Sequence, residues 1–194
     1  MSFLDLSPLR VPRANQISTS IQFFSPKINR QVWCESNLEW DTAIVLDYDS
    51  SVLEYCEQSI EIKWSKSRWI PDFVAIVENE GKYHALILEV KYMEELLGDK
   101  KHYIQKYTES EQWIEDHEQE LAEKITALPL DSIKLVVVTE KVLQSTFRVR
   151  NLRKLIQAKM DGHYDLGIAL QIEQVLNGFN QIPLKTLINV VINM

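Results

Sequence analysis

The spacing of apolar residues along this chain predicts strands that are interleaved with helices. Ile60, Ile62 and Trp64 alternate with polar residues, which is the period of a half-buried strand. The segment Ala85-Leu86-Ile87-Leu88 is apolar throughout, as in a strand that is buried on both faces. By these criteria, strands are predicted over 52–55, 60–64, 69–77, 83–91 and 133–139.

Helical spacing is found between and after the predicted strands. Residues 35–47 and 92–128 are predicted to be helical, the second segment with a break at Gly98 and an acidic, solvated face. Beyond residue 140, the pattern predicts a short appendage with helical stretches and a final apolar piece, over 149–160, 166–177 and 183–193.

The order of these elements indicates an α/β fold in which a mixed sheet is flanked by helices. A chain of 194 residues suits one domain with an appendage. We therefore divide it into an N-terminal arm (1–33), a central domain (34–140) and a small C-terminal region (141–194). The arm is polar and mildly basic, so we expect it to lie on the surface, with phosphate contact as the alternative.

Charge is unevenly distributed along the chain. The formal net charge is −7, with ten acids and four bases in residues 93–124 but six bases and one acid in residues 141–163. Because a local field matters more for binding than the total, this acidity does not exclude DNA as a partner. No long apolar run or apolar leader is present, and Cys34 and Cys56 match no metal or disulfide spacing. We expect a cytoplasmic protein that does not cross a membrane.

Charged residues stand at the ends of two neighbouring predicted strands. Pro71-Asp72 precedes one apolar segment, and Glu89-Val90-Lys91 closes the next. Glu89 and Lys91 share a face because side chains alternate along a strand, and Pro71 favours a strand start, an edge or a bulge. If the two strands pair through the intervening turn, Asp72 and Glu89 come within reach of one ion. The alternative is a surface salt bridge between Glu89 and Lys91 beside an unrelated Asp72.

Paired carboxylates are the ligands that Mg²⁺ or Mn²⁺ prefers, and a metal-bound water can act as a nucleophile. Lys91 is then expected to hold that water or help to deprotonate it, and to offset charge on a phosphate. A third acid would complete the site, and Glu39 and Glu35, one helical turn apart, are near-equal candidates by spacing. The chain has no glycine-rich phosphate loop and no G-x-S-x-G, which argues against an NTPase or a serine hydrolase.

The same residues resemble a known group of nucleases over roughly residues 30–140. They are similar to the PD-(D/E)XK nuclease superfamily and, more narrowly, to the N-terminal catalytic domain of TnsA-type transposon endonucleases. Four stretches carry the resemblance: Ser36-Asn37-Leu38-Glu39, Asp49-Ser50-Ser51-Val52-Leu53 with Glu57-Gln58, Pro71-Asp72-Phe73, and Glu89-Val90-Lys91.

The resemblance implies a restriction-endonuclease-like fold and a role for each motif residue. Glu39 matches the helix acid, which decides between it and Glu35, and Asp72 matches the central metal ligand. Glu89 matches the second ligand and Lys91 the catalytic lysine, with Val90 as a further expected metal ligand. The implied activity is Mg²⁺-dependent cleavage of the 5′ ends of a transposon, with Mn²⁺ as a substitute. The implied partners are the transposon-end DNA, a DDE-type transposase subunit and an AAA+ regulator ATPase.

In that family the C-terminal domain is winged-helix-like, so residues 141–194 are expected to be a reduced version of it. The most basic patch of the chain lies there, and we expect it to contact DNA phosphates through Arg148, Arg150, Arg153 and Lys154. Two alternatives remain open. One is a restriction or repair nuclease of the same superfamily, and the other is a catalytically idle assembly platform with the same fold.

Overall fold

The computed structural model describes residues 2–9, 21–64 and 67–140. The basic C-terminal patch and the predicted C-terminal helices lie outside these ranges. The described strands are β1 (Ile21–Ser25), β2 (Arg30–Cys34), β3 (Val52–Glu57), β4 (Ile62–Trp64), β5 (Ser67–Trp69), β6 (Phe73–Asn79), β7 (Lys82–Val90) and β8 (Leu130–Val138). The described helices are α1 (Asn37–Tyr48), α2 (Met93–Gly98), α3 (Lys100–Asp116) and α4 (Glu118–Ile125).

A four-stranded mixed sheet with the order β3-β6-β7-β8 forms the centre of the molecule. The pairs β3–β6 and β6–β7 are antiparallel, whereas β7 and β8 are parallel. The parallel pair needs a crossover connection, which the helices between residues 93 and 125 provide. The predicted mixed sheet flanked by helices is confirmed.

A tight hairpin sets the register of β6 against β7. The strands turn through Glu80 and Gly81, whose φ angles are 55° and 77°, and Asn79 pairs with Lys82. Positive φ at both central residues is the requirement of a type I′ turn, which matches the natural twist of paired strands. The register continues to the pair Phe73–Leu88. Extended by one residue, it places Asp72 opposite Glu89.

Apolar side chains on the two faces of the sheet form two separate cores. On one face, alternate residues of β6 and β7 pack with α1 and the β1–β2 hairpin: Phe73, Ala75, Val77, Leu86, Leu88 and Val90. On the other face, the intervening residues pack with α3, α4 and the N-terminal segment 2–9: Val74, Ile76, Ala85 and Ile87. The central strands are therefore buried on both sides, as predicted for residues 85–88.

The expectation of a polar surface arm over residues 1–33 is wrong for its last third. Residues 21–34 form the β1–β2 hairpin, and Phe23 and Val32 are almost completely buried in the first core. Arg30 also binds the buried Glu57 of β3 through its two terminal guanidinium nitrogens, Nη1 and Nη2, at 2.7 and 2.6 Å. The hairpin was missed because its apolar positions become a pattern only when the second strand is paired with the first. The proposed boundary between residues 33 and 34 falls inside β2.

Other boundaries differ in ways that follow from local chemistry. The single strand predicted over 69–77 is two strands, because β5 ends at Trp69 and β6 begins at Phe73. Pro71, which has no N–H to give to a ladder, lies in the gap. The long predicted helix is broken into α2, α3 and α4, with the first break after Gly98 as expected. In the described ranges, no helix has the length and apolar character needed to cross a membrane.

Candidate active site

Asp72 lies in the short link that leads into β6, at the end of the central sheet. Its Oδ2 accepts a hydrogen bond from the main-chain N–H of Val90 at 2.7 Å, so the side chain itself closes the β6–β7 ladder. Its main-chain carbonyl accepts from the N–H of Gln58 at 2.9 Å. Among the residues that the structure describes, no donor bonds to Oδ1. The carboxylate is therefore held by one oxygen and can present the other.

Glu89 stands opposite Asp72 near the end of β7 and is only 3% exposed. Its Oε2 accepts a hydrogen bond from Trp69 Nε1 at 2.7 Å, and its Oε1 accepts from Lys106 Nζ at 2.9 Å. These donors come from β5 and from α3, so three elements meet at this carboxylate. A buried charge of this kind is tolerated because both of its oxygens are hydrogen-bonded.

Lys91 lies two residues beyond Glu89, on the same face, with its Nζ 4.0 Å from Glu89 Oε1. Burial alone would lower the pKa of Lys91, but the carboxylates of Glu89 and Asp72 outweigh that effect and raise it. The Lys91 amine therefore carries its proton and its positive charge in the metal-free protein. The same-face placement expected from strand alternation is confirmed by this contact.

Glu39 lies in the first turn of α1 and is 8% exposed. Ser36 caps the helix by accepting from the N–H of Glu39 at 3.1 Å, while Glu39 Oε2 accepts from the N–H of Glu35 at 2.8 Å. This reciprocal arrangement is close to a capping box, and the S-x-x-E spacing of residues 36–39 signals it. The motif residue thus has a structural task at the helix start, besides the role that the resemblance implies.

The electrostatic balance of the site is unfavourable at Asp72. Burial raises the pKa of Asp72 well above its usual value, and the negative charges of Glu89 and Glu39 raise it further. The pKa of Glu39 is also raised, first by burial, although hydrogen bonds from Glu35 and Ser36 oppose the shift. Asp72 thus lies in the field of two further carboxylates, and Lys91 and Lys106 place two ammonium groups beside Glu89.

The donor set fits a hard divalent cation in type and in charge. Asp72 and Glu89 can supply carboxylate oxygens, and Val90 can add a main-chain carbonyl. Both Glu89 oxygens already accept hydrogen bonds, from Trp69 and Lys106, so a cation would share them with these donors. The N–H and C=O of a strand residue point to the same side, and the Val90 N–H already points to Asp72. Within the described ranges, no group of three or more His, Cys, Asp or Glu is placed to hold a metal ion. Mg²⁺ requires only one or two carboxylates, because waters complete its coordination.

Two residues of this site escaped the sequence analysis. Neither Lys106, on α3, nor Trp69, on β5, was predicted as a residue of the site. One signal for Lys106 was present, because it is the only lysine or arginine between Lys101 and Lys124 in a strongly acidic segment. Trp69 offered no such signal, because its bond to Glu89 depends on how β5 folds back beside the sheet.

The four DNA-contact candidates Arg148, Arg150, Arg153 and Lys154 lie outside the described residues and stay predictions. No protein-family model matches the sequence, and no curated protein matches it. The resemblance to TnsA-type endonucleases therefore stays a prediction that rests on the four sequence stretches quoted above.

Proposed function

We propose that this protein is a metal-dependent DNA endonuclease with a restriction-endonuclease-like fold. One observation carries the proposal. Asp72 and Glu89 lie just beyond the paired residues Phe73 and Leu88, where two adjacent antiparallel strands end, and the Lys91 ammonium lies 4.0 Å from Glu89. Burial and the charge of Glu89 raise the pKa of Asp72, and an acid perturbed in this way beside a second acid and a lysine is a common feature of active sites.

Asp72, Glu89 and the Val90 carbonyl would hold Mg²⁺ or Mn²⁺, with Glu39 acting on the site from α1. The bound ion would supply an activated water and stabilise charge on the reacting phosphodiester. Lys91 would orient the water and offset charge that develops on the phosphate. Because the carboxylates raise the pKa of Lys91, we assign it an electrostatic role rather than that of a neutral base. Water attack then cleaves one phosphodiester bond and leaves two DNA ends.

The resemblance to TnsA-type endonucleases supports a narrower version of this function. The protein would cut the 5′ ends of a transposon beside a DDE-type transposase subunit and an AAA+ regulator, in the bacterial cytoplasm at the nucleoid. The basic residues Arg148, Arg150, Arg153 and Lys154 would contact the phosphate backbone of the transposon ends. The sequence of α3 and α4 is acidic, whereas the C-terminal sequence is basic. We propose that the basic residues contact DNA and that the acidic helices contact a protein partner.

A second candidate function is an idle assembly platform with the same fold. The observation in its favour is that both oxygens of Glu89 already have protein donors, Trp69 and Lys106. A carboxylate whose two oxygens already accept hydrogen bonds from the protein gains less free energy from binding a metal ion. This candidate predicts that Mn²⁺ neither binds to the protein nor protects it from thermal unfolding.

The test is a nicking assay with Mg²⁺ or Mn²⁺, end-labelled transposon DNA and the partner proteins, comparing wild type with Asp72→Asn and Glu89→Gln. Each variant should lose about 100-fold or more in rate, as expected for removal of a group that stabilises transition-state charge. Glu78→Gln is the matched control, since Glu78 is an exposed acid at the far end of β6. Cleavage at the wild-type rate by an Asp72→Asn, Glu89→Gln double variant would refute the proposal.

A further inference from the structure

The ammonium of Lys106 has an unusual position for a lysine on an acidic helix. Its side chain is only 18% exposed, and its Nζ lies 2.9 Å from Glu89 Oε1. The same Nζ lies 4.9 Å from the ring centroid of Trp69 and 5.4 Å from that of Tyr107, both within the range of cation–π attraction. The lysine is therefore held by a carboxylate and by two aromatic faces.

Lys106 is the nearer of the two cations at this oxygen. Lys91, the lysine of the acid-x-lysine motif, is 4.0 Å from Glu89 Oε1, whereas Lys106 makes a direct hydrogen bond to it. Two ammonium groups thus converge on one oxygen of a carboxylate that the proposed function assigns to metal binding. A metal ion and an ammonium at the same oxygen repel each other, so both cannot be bound there at full strength.

We propose that Lys106 is a built-in counterion for Glu89 that competes with the divalent cation and so sets the metal affinity of the site. This inference rests on the proposed function and adds a regulation of the same site. In the metal-free protein Lys106 neutralises the buried carboxylate and keeps it in place, together with Trp69. A divalent cation held by Glu89 would displace Lys106 from Oε1, and the faces of Trp69 and Tyr107 would still stabilise its charge.

The test is calorimetric titration of the full chain with Mn²⁺ alone, without DNA. Lys106→Met removes the ammonium and nearly preserves the side-chain length, and it should bind Mn²⁺ about tenfold more tightly than wild type. Lys106→Arg keeps the positive charge and should bind Mn²⁺ with close to wild-type affinity. Lys101→Met is the matched control, because Lys101 is an exposed lysine of the same helix. It should leave the affinity unchanged.

Thermal unfolding gives a second readout. Without metal, Lys106→Met should melt below wild type, because Glu89 loses its closest counterion. With saturating Mn²⁺, the rise in Tm should be larger for Lys106→Met than for wild type, because stabilisation by a ligand grows with the logarithm of its affinity for the folded state. Should Lys106→Met fail to fold, Lys106→Gln keeps a hydrogen-bond donor for Glu89 while removing the charge, and the same expectations apply.

The outcomes separate this inference from the proposed function. Unchanged or weaker Mn²⁺ binding by the charge-removing variants overturns the competition, and a 10- to 100-fold weakening would mark Lys106 as a simple support for the ligand. Mn²⁺ binding that is the same in wild type and Asp72→Asn instead overturns the metal site itself. If wild type and Lys106→Met both fail to bind Mn²⁺, the inference and the metal site are overturned together.

Discussion

Two buried glutamates of the central sheet, Glu57 and Glu89, have contrasting partners. Glu57 ends β3 at 2% exposure, and the guanidinium of Arg30 satisfies both of its oxygens. Glu89, at 3% exposure near the end of β7, divides its oxygens between the neutral donor Trp69 and the ammonium of Lys106. A planar bidentate pair is matched in shape and charge, so Glu57 and Arg30 make a closed structural contact.

Glu89 has no single bidentate partner like the one that Arg30 provides for Glu57. Asp72 faces it, and the pKa of Asp72 is raised by burial and then by the charges of Glu89 and Glu39. The comparison teaches that burial of a carboxylate does not by itself indicate a functional site. The indication comes from several carboxylates that share too few cations, because such a cluster is costly unless another positive charge can bind. The four predictions below test this contrast.

The largest effect is expected from Arg30→Met. This change leaves the buried Glu57 without its counterion, and we expect a loss of about 3 kcal/mol in the free energy of unfolding. Chemical denaturation followed by tryptophan fluorescence measures it. A Glu57→Leu substitution added to Arg30→Met should recover much of the loss, because no uncompensated charge then remains. A double variant as unstable as Arg30→Met would show that the contact is not a closed pair.

A smaller loss is expected from Trp69→Phe. Phenylalanine keeps a smaller aromatic ring at this position, but Glu89 Oε2 loses its hydrogen bond from Nε1, which should cost about 2 kcal/mol beyond the loss of ring volume. Thermal and urea unfolding would measure the change. Trp113→Phe serves as the control, because Trp113 stacks on His117 rather than bonding to a carboxylate. Equal losses in the two variants would argue against a special role for the Trp69–Glu89 bond.

Asp72→Asn should raise the free energy of unfolding, whereas the two preceding variants lower it. It removes a charge that is both buried and repelled, while its amide oxygen can still accept from the Val90 N–H. We expect the metal-free protein to gain about 1 kcal/mol in unfolding free energy. Glu57→Gln, in the matched pair, should instead lower it, since Arg30 loses its partner. Equilibrium unfolding in EDTA compares the two variants, and a loss of stability in both would remove the distinction between the clusters.

The pH dependence of stability should reflect the same asymmetry. Between 3.8 and the raised pKa of Asp72, the folded protein keeps a proton that the unfolded chain has lost. The free energy of unfolding of the metal-free wild type should therefore fall as pH rises through this interval, and Asp72→Asn should lack that contribution. Urea denaturation of both proteins over a pH series tests this. A stability difference that does not change with pH would contradict it.

Much of the candidate site could be predicted because its geometry is local. The turn at Glu80-Gly81 fixes the register of two neighbouring strands, and that register alone brings Asp72 opposite Glu89. Strand alternation then places Lys91 on the face of Glu89. Binding of a metal, of DNA and of protein partners stays a prediction, because binding depends on a second molecule and the strand register does not.

The sequence by itself determined the mixed α/β character of the central domain, the buried character of residues 85–88 and the position of the two acids at the ends of neighbouring strands, because each depends on neighbours along the chain. Only the tertiary structure decided that Arg30 neutralises Glu57 and that Lys106 and Trp69 hold Glu89. The physical reason is that a buried carboxylate is satisfied by whichever donor the packing brings within about 3 Å. Periodicity along a single chain specifies which face a residue occupies, but not which residue of another element lies against it.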